Sequence, residues 1–142
     1  MMLVRLGLLT LLRRISNMSY QLSEKSLGKL AGVHPDLVKV IKRAIEITPV
    51  DFTVIEGLRT KERQAYLVKK GASKTMRSRH LTGHAVDIAP IVDGKVSWNM
   101  KDYKPIVEAV KQAALELKIP MEHGYDWGWD GPHHELLRSV YK

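Results

Sequence analysis

From Ser23 to Leu137 the apolar positions switch repeatedly between helical and alternating spacing. Ser23 offers an oxygen to cap a short helix running toward Leu30, and Gly32 ends it. His34-Pro35 starts the next helix, with Pro35 at the first helical position and Leu37, Val38, Ile41, Ala44 and Ile45 as its apolar stripe. "DFTVIEG" predicts a strand with Phe52, Val54 and Glu56 on one side and Thr53 and Ile55 on the other. Thr60 caps a helix over "KERQAYLVKK", which Gly71 closes. "SRHLTGHAVD" then leads into the strand "HAVDIAPIV", and Asp93-Gly94 marks a hairpin turn before "KVSW". A further helix from Pro105 to about Leu117 carries Ile106, Val107, Val110, Ala113, Ala114 and Leu117. "HHELL" reads as a short last strand, after an irregular stretch from Lys118 to Pro132. Helices and strands without regular βαβ alternation predict a single α+β domain: a small antiparallel sheet, flanking helices, and chemistry at strand ends and loops.

Composition narrows the chemistry. A chain of 142 residues, 44% hydrophobic and 27% charged, suits one globular domain. It has no cysteine, which excludes disulfides, thiolate ligands and thiol nucleophiles, so a metal would be held by His, Asp or Glu. The net charge of +8 implies attraction to something anionic: nucleic acid, an anionic membrane or an acidic wall polymer. With one Phe and no basic run interleaved with aromatics, a nucleic-acid stacking platform is not expected. The apolar run from Leu6 to Leu12 is short for a signal peptide, stops at Arg13-Arg14, lacks a small-residue cleavage site and cannot span a bilayer. Residues 1–18 read as an extension, either amphipathic or upstream of a natural start at Met18, with the functional domain over 19–142.

The densest chemistry is in "SRHLTGHAVD". Strand alternation puts Asp87 beside Ala85 and Ala89, opposite the apolar Val86 and Ile88, and Gly83 permits a turn that folds His80 back toward Asp87. Imidazole and carboxylate both bind zinc at about 2.0–2.2 Å, and a catalytic site keeps three protein ligands and one open position. "DWGWDGPHHEL" offers a third ligand. His133 and His134 are adjacent, so on a strand they face opposite ways and only one joins a given metal. Asp130, three residues earlier, is placed to move protons. Each residue also has a bland reading: a hydrogen-bonding histidine, a strand-end cap at Asp87, a turn former at Asp130.

Three ordered blocks resemble a known family. "SRHLTGHAVD" fits Ser-x-His-x-x-Gly-x-Ala-x-Asp of the zinc D-alanyl-D-alanine carboxypeptidases and the related phage L-alanyl-D-glutamate endopeptidases, through Ser78, His80, Gly83, Ala85 and Asp87. "DGPHHEL" is similar to the second block, through Asp130, Pro132, His133, Glu135 and Leu136. "EGLRTKERQ" is similar to the third, through Gly57, Arg59 and Gln64. The resemblance implies zinc on His80, Asp87 and His133, Asp130 as general base and acid, and Arg59 holding substrate or the developing oxyanion. It implies a substrate-contacting or supporting hydroxyl at Ser78 and a peripheral or structural contact at Gln64.

Aspartate rather than glutamate at 130 favours the phage endopeptidase branch, with the carboxypeptidase as the alternative inside the same chemistry. Glu56 stands where Ser or Thr is usual, His134 replaces an aromatic, and the segment from Trp127 to Asp130 is shorter than typical. His84 falls at a variable position, and Trp127 and Trp129 read equally as groove wall or buried anchors. The implied partner is the peptidoglycan stem peptide, with anionic wall polymers as a further attraction and neither nucleic acid nor membrane insertion. The resemblance implies a monomer made in the host cytoplasm and released to the wall by another protein. A catalytically silent wall-binding domain is the reading of a different class.

Overall fold

A computed structural model describes residues 19–142; the expectation for residues 1–18 lies outside the described residues. Helix α1 (Glu24–Lys29) and helix α2 (Pro35–Ile47) precede strand β1 (Phe52–Glu56), and helix α3 (Lys61–Lys69) follows it. A 3-10 turn, Arg79–Thr82, leads into β2 (Ala85–Val92), which hairpins to β3 (Lys95–Val96). Helix α4 (Met100–Leu117), β4 (Met121–His123), a second 3-10 turn (Gly124–Trp127) and β5 (His133–Leu136) complete the order. All pairings are antiparallel, in the order β1-β2-β5-β4 with β3 alongside β2. The expected α+β class with a small antiparallel sheet is the one found.

Local chemistry explains most boundaries. The side chains of Ser23 and Thr60 accept backbone N–H groups at the starts of α1 and α3. The His34 side chain does the same for α2 ahead of Pro35. The buried stripe of α2 is Leu37, Val40, Ile41, Ala44 and Ile45, so Val40 takes the core place expected for Val38, which is half-buried. Helix α4 starts five residues before Pro105, because the Asn99 side chain caps the Lys101 N–H and the proline is absorbed inside the helix. That earlier start buries Tyr103. β4 lies in the stretch expected to be irregular; it is three residues long and owes its form to pairing with β5.

Val86, Ile88, Phe52, Val54 and Leu136 make the sheet's contribution to a core completed by α2 and α4. The opposite face carries Asp87. One expectation fails here: Glu56 does not share the face of Phe52 and Val54. The register slips between Val54 and Glu56, so Val54 pairs with Ile88 and Glu56 with Asp87. The extra residue, Ile55, reverses the alternation, and Glu56 turns to the Asp87 side. The bulge is anchored by Lys29, whose ammonium donates to the Ile55 carbonyl at 2.8 Å.

Gly83 closes the turn before β2 in the left-handed region, φ 76°, and a Cβ there would lie 2.5 Å from the Gly32 carbonyl oxygen. Its own carbonyl accepts the His34 N–H at 2.8 Å, tying the turn to the start of α2. Gly83→Ala is therefore expected to cost about 2 kcal/mol or more, read as a lower urea midpoint at unchanged m-value.

Candidate metal centre

The register of the sheet brings the expected ligands together. Asp87 on β2 pairs directly with His133 on β5, and the 3-10 turn before β2 carries His80 over the same face. One ligand atom from each of His80, Asp87 and His133 lies within 4.8 Å of the others. His80 Nε2 is 3.2 Å and His133 Nδ1 3.3 Å from the same oxygen, Asp87 Oδ1. A tetrahedral ion with bonds of about 2.1 Å sets its ligand atoms about 3.4 Å apart, close to the two distances from Asp87 Oδ1, so the donor set fits zinc.

The protons say the same. His80 Nδ1 is 2.9 Å from the Gly57 carbonyl, which only accepts, so Nδ1 carries the hydrogen and Nε2 is left bare. His133 Nε2 is 2.9 Å from Glu135 Oε1, so Nε2 is the donor and Nδ1 is bare. In the neutral state two imidazole lone pairs and a carboxylate oxygen converge on one point, an arrangement that needs a cation. Without a metal, a proton serves: burial lowers the pKa of His133, but hydrogen bonds to Asp87 and Glu135 outweigh it and raise it to about 9. Burial works upward on Asp87, yet hydrogen bonds from His133 and His80 hold its carboxyl well below the usual range.

Glu135 therefore belongs to the site as the carboxylate that orients His133. Two residues apart on a strand, His133 and Glu135 share a face, and that spacing is the signal in the sequence. Gly57 orients His80 in the same way through its backbone. Glycine is required there, since a Cβ would strike the Lys29 carbonyl.

Asp130 lies on the wall of the same cleft, which encloses about 820 Å³ and includes Arg59, Ser78, His80, Asp87 and His133. Burial raises its carboxyl above the ordinary value, against the lowering pull of His133, and the charges of Asp87, His80 and Arg59 all reach it. Its backbone carbonyl accepts the His133 N–H at 3.2 Å, so Asp130 and His133 are held in one turn. Gly124 allows that turn to close: a Cβ there would strike the Asp130 carbonyl.

Arg59 is clamped rather than free. Its Nε and Nη2 donate to the two oxygens of Glu56 at 2.8 and 2.7 Å, and Nη1 donates to Gln64 Oε1 at 2.8 Å. Nη2 stands 3.9 Å from Asp87 Oδ2. Glu56 in place of a hydroxyl residue thus supplies a bidentate brace. Gln64 is fully buried, and its amide donates to Ser73 Oγ and the Thr75 carbonyl, so it reaches the site only through Arg59. Ser78 Oγ accepts the His80 N–H at 3.2 Å and an Arg59 N–H at 3.4 Å.

The remaining histidines stand apart from the metal group. His134 is buried on the other face of β5 with its Nδ1 2.8 Å from that of His123. Burial lowers the pKa of both, that of His123 to about 4, which keeps the pair neutral. His84 bonds Thr82 Oγ1 at 2.6 Å and lies against the His34 ring. Trp127 packs its ring 5.4 Å from that of His133, and Trp129, 73% exposed, lines the cleft, so neither indole is a buried anchor and Trp129 forms groove wall.

The family model described as phage L-alanyl-D-glutamate peptidase matches residues 18–141. The chain belongs to this family. It is 38% identical over 129 residues to the L-alanyl-D-glutamate peptidase of Escherichia phage T5, covering 87% of this chain and 94% of that one. To the L-alanyl-D-glutamate peptidase of Listeria phage A118 it is 33% identical over 124 residues, spanning 86% of this chain and 43% of the relative. The crystal structure of the Serratia marcescens L-Ala D-Glu endopeptidase ChiX superimposes with a TM-score of 0.81 at 46% identity, covering 87% of this chain and 94% of that one. The membership agrees with the phage branch indicated by Asp130.

Two outcomes follow from the donor set. Glu135→Gln removes the charge that orients His133 and is expected to weaken zinc affinity about 10- to 100-fold in a chelator competition. Because His133 holds a proton up to about pH 9 in the metal-free protein, zinc must displace it. Apparent zinc affinity should therefore rise with pH, by up to about tenfold per unit until pH 9, with proton release measurable by calorimetry in buffers of different ionisation enthalpy.

Proposed function

We propose that this protein is a zinc peptidase that hydrolyses the L-alanyl-D-glutamate bond of peptidoglycan stem peptides. The observation that carries the reading is the convergence of His80 Nε2, Asp87 Oδ1 and His133 Nδ1 on one point beside a separate, half-buried acid, Asp130. A structural zinc site closes with four protein ligands, whereas three ligands and a free carboxylic acid suit catalysis. Membership of a family described by this bond supports the same substrate.

His80, Asp87 and His133 would hold the zinc, which would supply Lewis acidity for water activation and carbonyl polarisation. Asp130 takes the proton from the attacking water and returns it to the glutamyl nitrogen as the C–N bond breaks. The water oxygen ends in the new alanyl carboxylate, and the glutamyl residue leaves with a free amine. The raised pKa of Asp130 suits a group that must both accept and donate. Arg59, fixed by Glu56 and Gln64 with its Nη2 3.9 Å from Asp87 Oδ2, would hold the substrate carbonyl as negative charge develops on its oxygen. Ser78 holds the His80 backbone, and Gln64 acts through Arg59.

Residues 19–142 form the peptidase domain in this reading, acting as a monomer on the wall after synthesis in the host cytoplasm and release by another protein. Among the described residues no helix is long and apolar enough to cross a membrane. The charge of +8 would help hold the protein on anionic wall polymers.

Digestion of purified peptidoglycan, followed by mass spectrometry of the soluble products, tests the proposal. The zinc-loaded protein should expose new glutamyl amino termini, and chelation should abolish this. Asp130→Asn should lower kcat by about 10²–10⁴-fold while zinc stays bound. Release of free D-alanine would identify a carboxypeptidase instead, and zinc and wall binding without any hydrolysis would identify a silent binding domain.

A further inference from the structure

The cleft carries more positive charge than its chemistry uses. Arg59 is braced by Glu56 and Gln64 for the role proposed above. Arg79 is buried, and its Nη2 donates to the Leu136 and Tyr141 carbonyls at 3.1 and 2.8 Å, with Glu135 3.7 Å from its Nε. Lys74, Arg77 and Arg138 line the same cleft, are exposed, and make no ion pair within 4.0 Å among the described residues. Arg77 immediately precedes Ser78, and Arg138 follows β5 closely enough for its charge to act on both Glu135 and Arg79.

The floor of the cleft is acidic. Glu56, Asp87, Asp130 and Glu135 all face it. Glu56, Asp87 and Glu135 are already matched there by Arg59, His80 and His133, so the cations left for an anionic substrate group are those at the rim. A glutamyl residue has two carboxyl groups; when the peptide continues through one, the other remains free, a few bonds from the scissile nitrogen. Guanidinium is suited to such a group because its planar fork binds a carboxylate through two parallel hydrogen bonds.

Resting on the peptidase reading above, we propose that Arg77 and Arg138 form a carboxylate subsite that holds the free carboxyl group of the substrate's glutamyl residue. The enzyme then selects stem peptides in which this group is a free acid over those in which it is an amide. The two arginines are specificity residues and take no part in the bond-breaking step.

The test uses two synthetic L-Ala-D-Glu stem peptides, identical except that the free glutamyl carboxyl is an acid in one and a carboxamide in the other. The zinc-loaded parent should show kcat/KM about tenfold or more higher on the acid. Arg77→Ala combined with Arg138→Ala should erase that preference through a raised KM on the acid, leaving kcat, zinc content and turnover of the amide unchanged. Equal use of both peptides by the parent, or an equal loss on both in the variant, overturns the subsite while leaving the peptidase reading intact. Absence of cleavage of either peptide by the parent overturns the peptidase reading and the subsite with it.

Discussion

Two bare imidazole nitrogens and one carboxylate oxygen share a point that only a cation makes stable. His80 and His133 are each held by the far nitrogen, through the Gly57 carbonyl and Glu135, so neither ring can turn away from Asp87. The fold therefore carries a built-in electrostatic demand, met by a proton in the absence of metal and by zinc in the proposed enzyme. The neighbouring charges are arranged around that demand: Glu56 braces Arg59, and the half-buried Asp130 stands beside the group, outside its three side chains.

Backbone geometry keeps the demand in place. The pairing of β2 with β5 sets Asp87 opposite His133, and a one-residue slip would send one of them to the core face. The bulge at Ile55 turns Glu56 toward Asp87, where it can clamp Arg59. Glycines at 57, 83 and 124 sit where a side chain would strike a carbonyl, each next to a residue of the site. Stability and function thus compete for few positions, because the apolar core lies on the other face of the sheet.

Much of this was legible in the chain. The turn signal at Gly83 and the alternation around Asp87 pointed to His80 and Asp87 as partners, and the adjacency of His133 and His134 meant that they would face opposite ways and only one would join a given metal. The boundaries that went astray have local causes. Asn99 offered a cap that moved the start of α4 back from Pro105, and β4 is too short to show a period of its own. The orientation of Glu56 depended on a bulge, which leaves no mark in hydrophobic alternation.

By itself the sequence determined the donor types, the absence of thiol chemistry, the α+β class and, through three motif blocks, the family. These are properties of composition, short-range spacing and turn residues, which act within a few positions of one another. The second block also singled out His133 over His134; only the tertiary structure decided that Glu135 fixes the His133 ring, and that Arg59 is paired while Arg77 and Arg138 make no ion pair among the described residues. Those outcomes depend on strand register and on which charges burial forces together, and both are set by contacts between segments far apart in the chain.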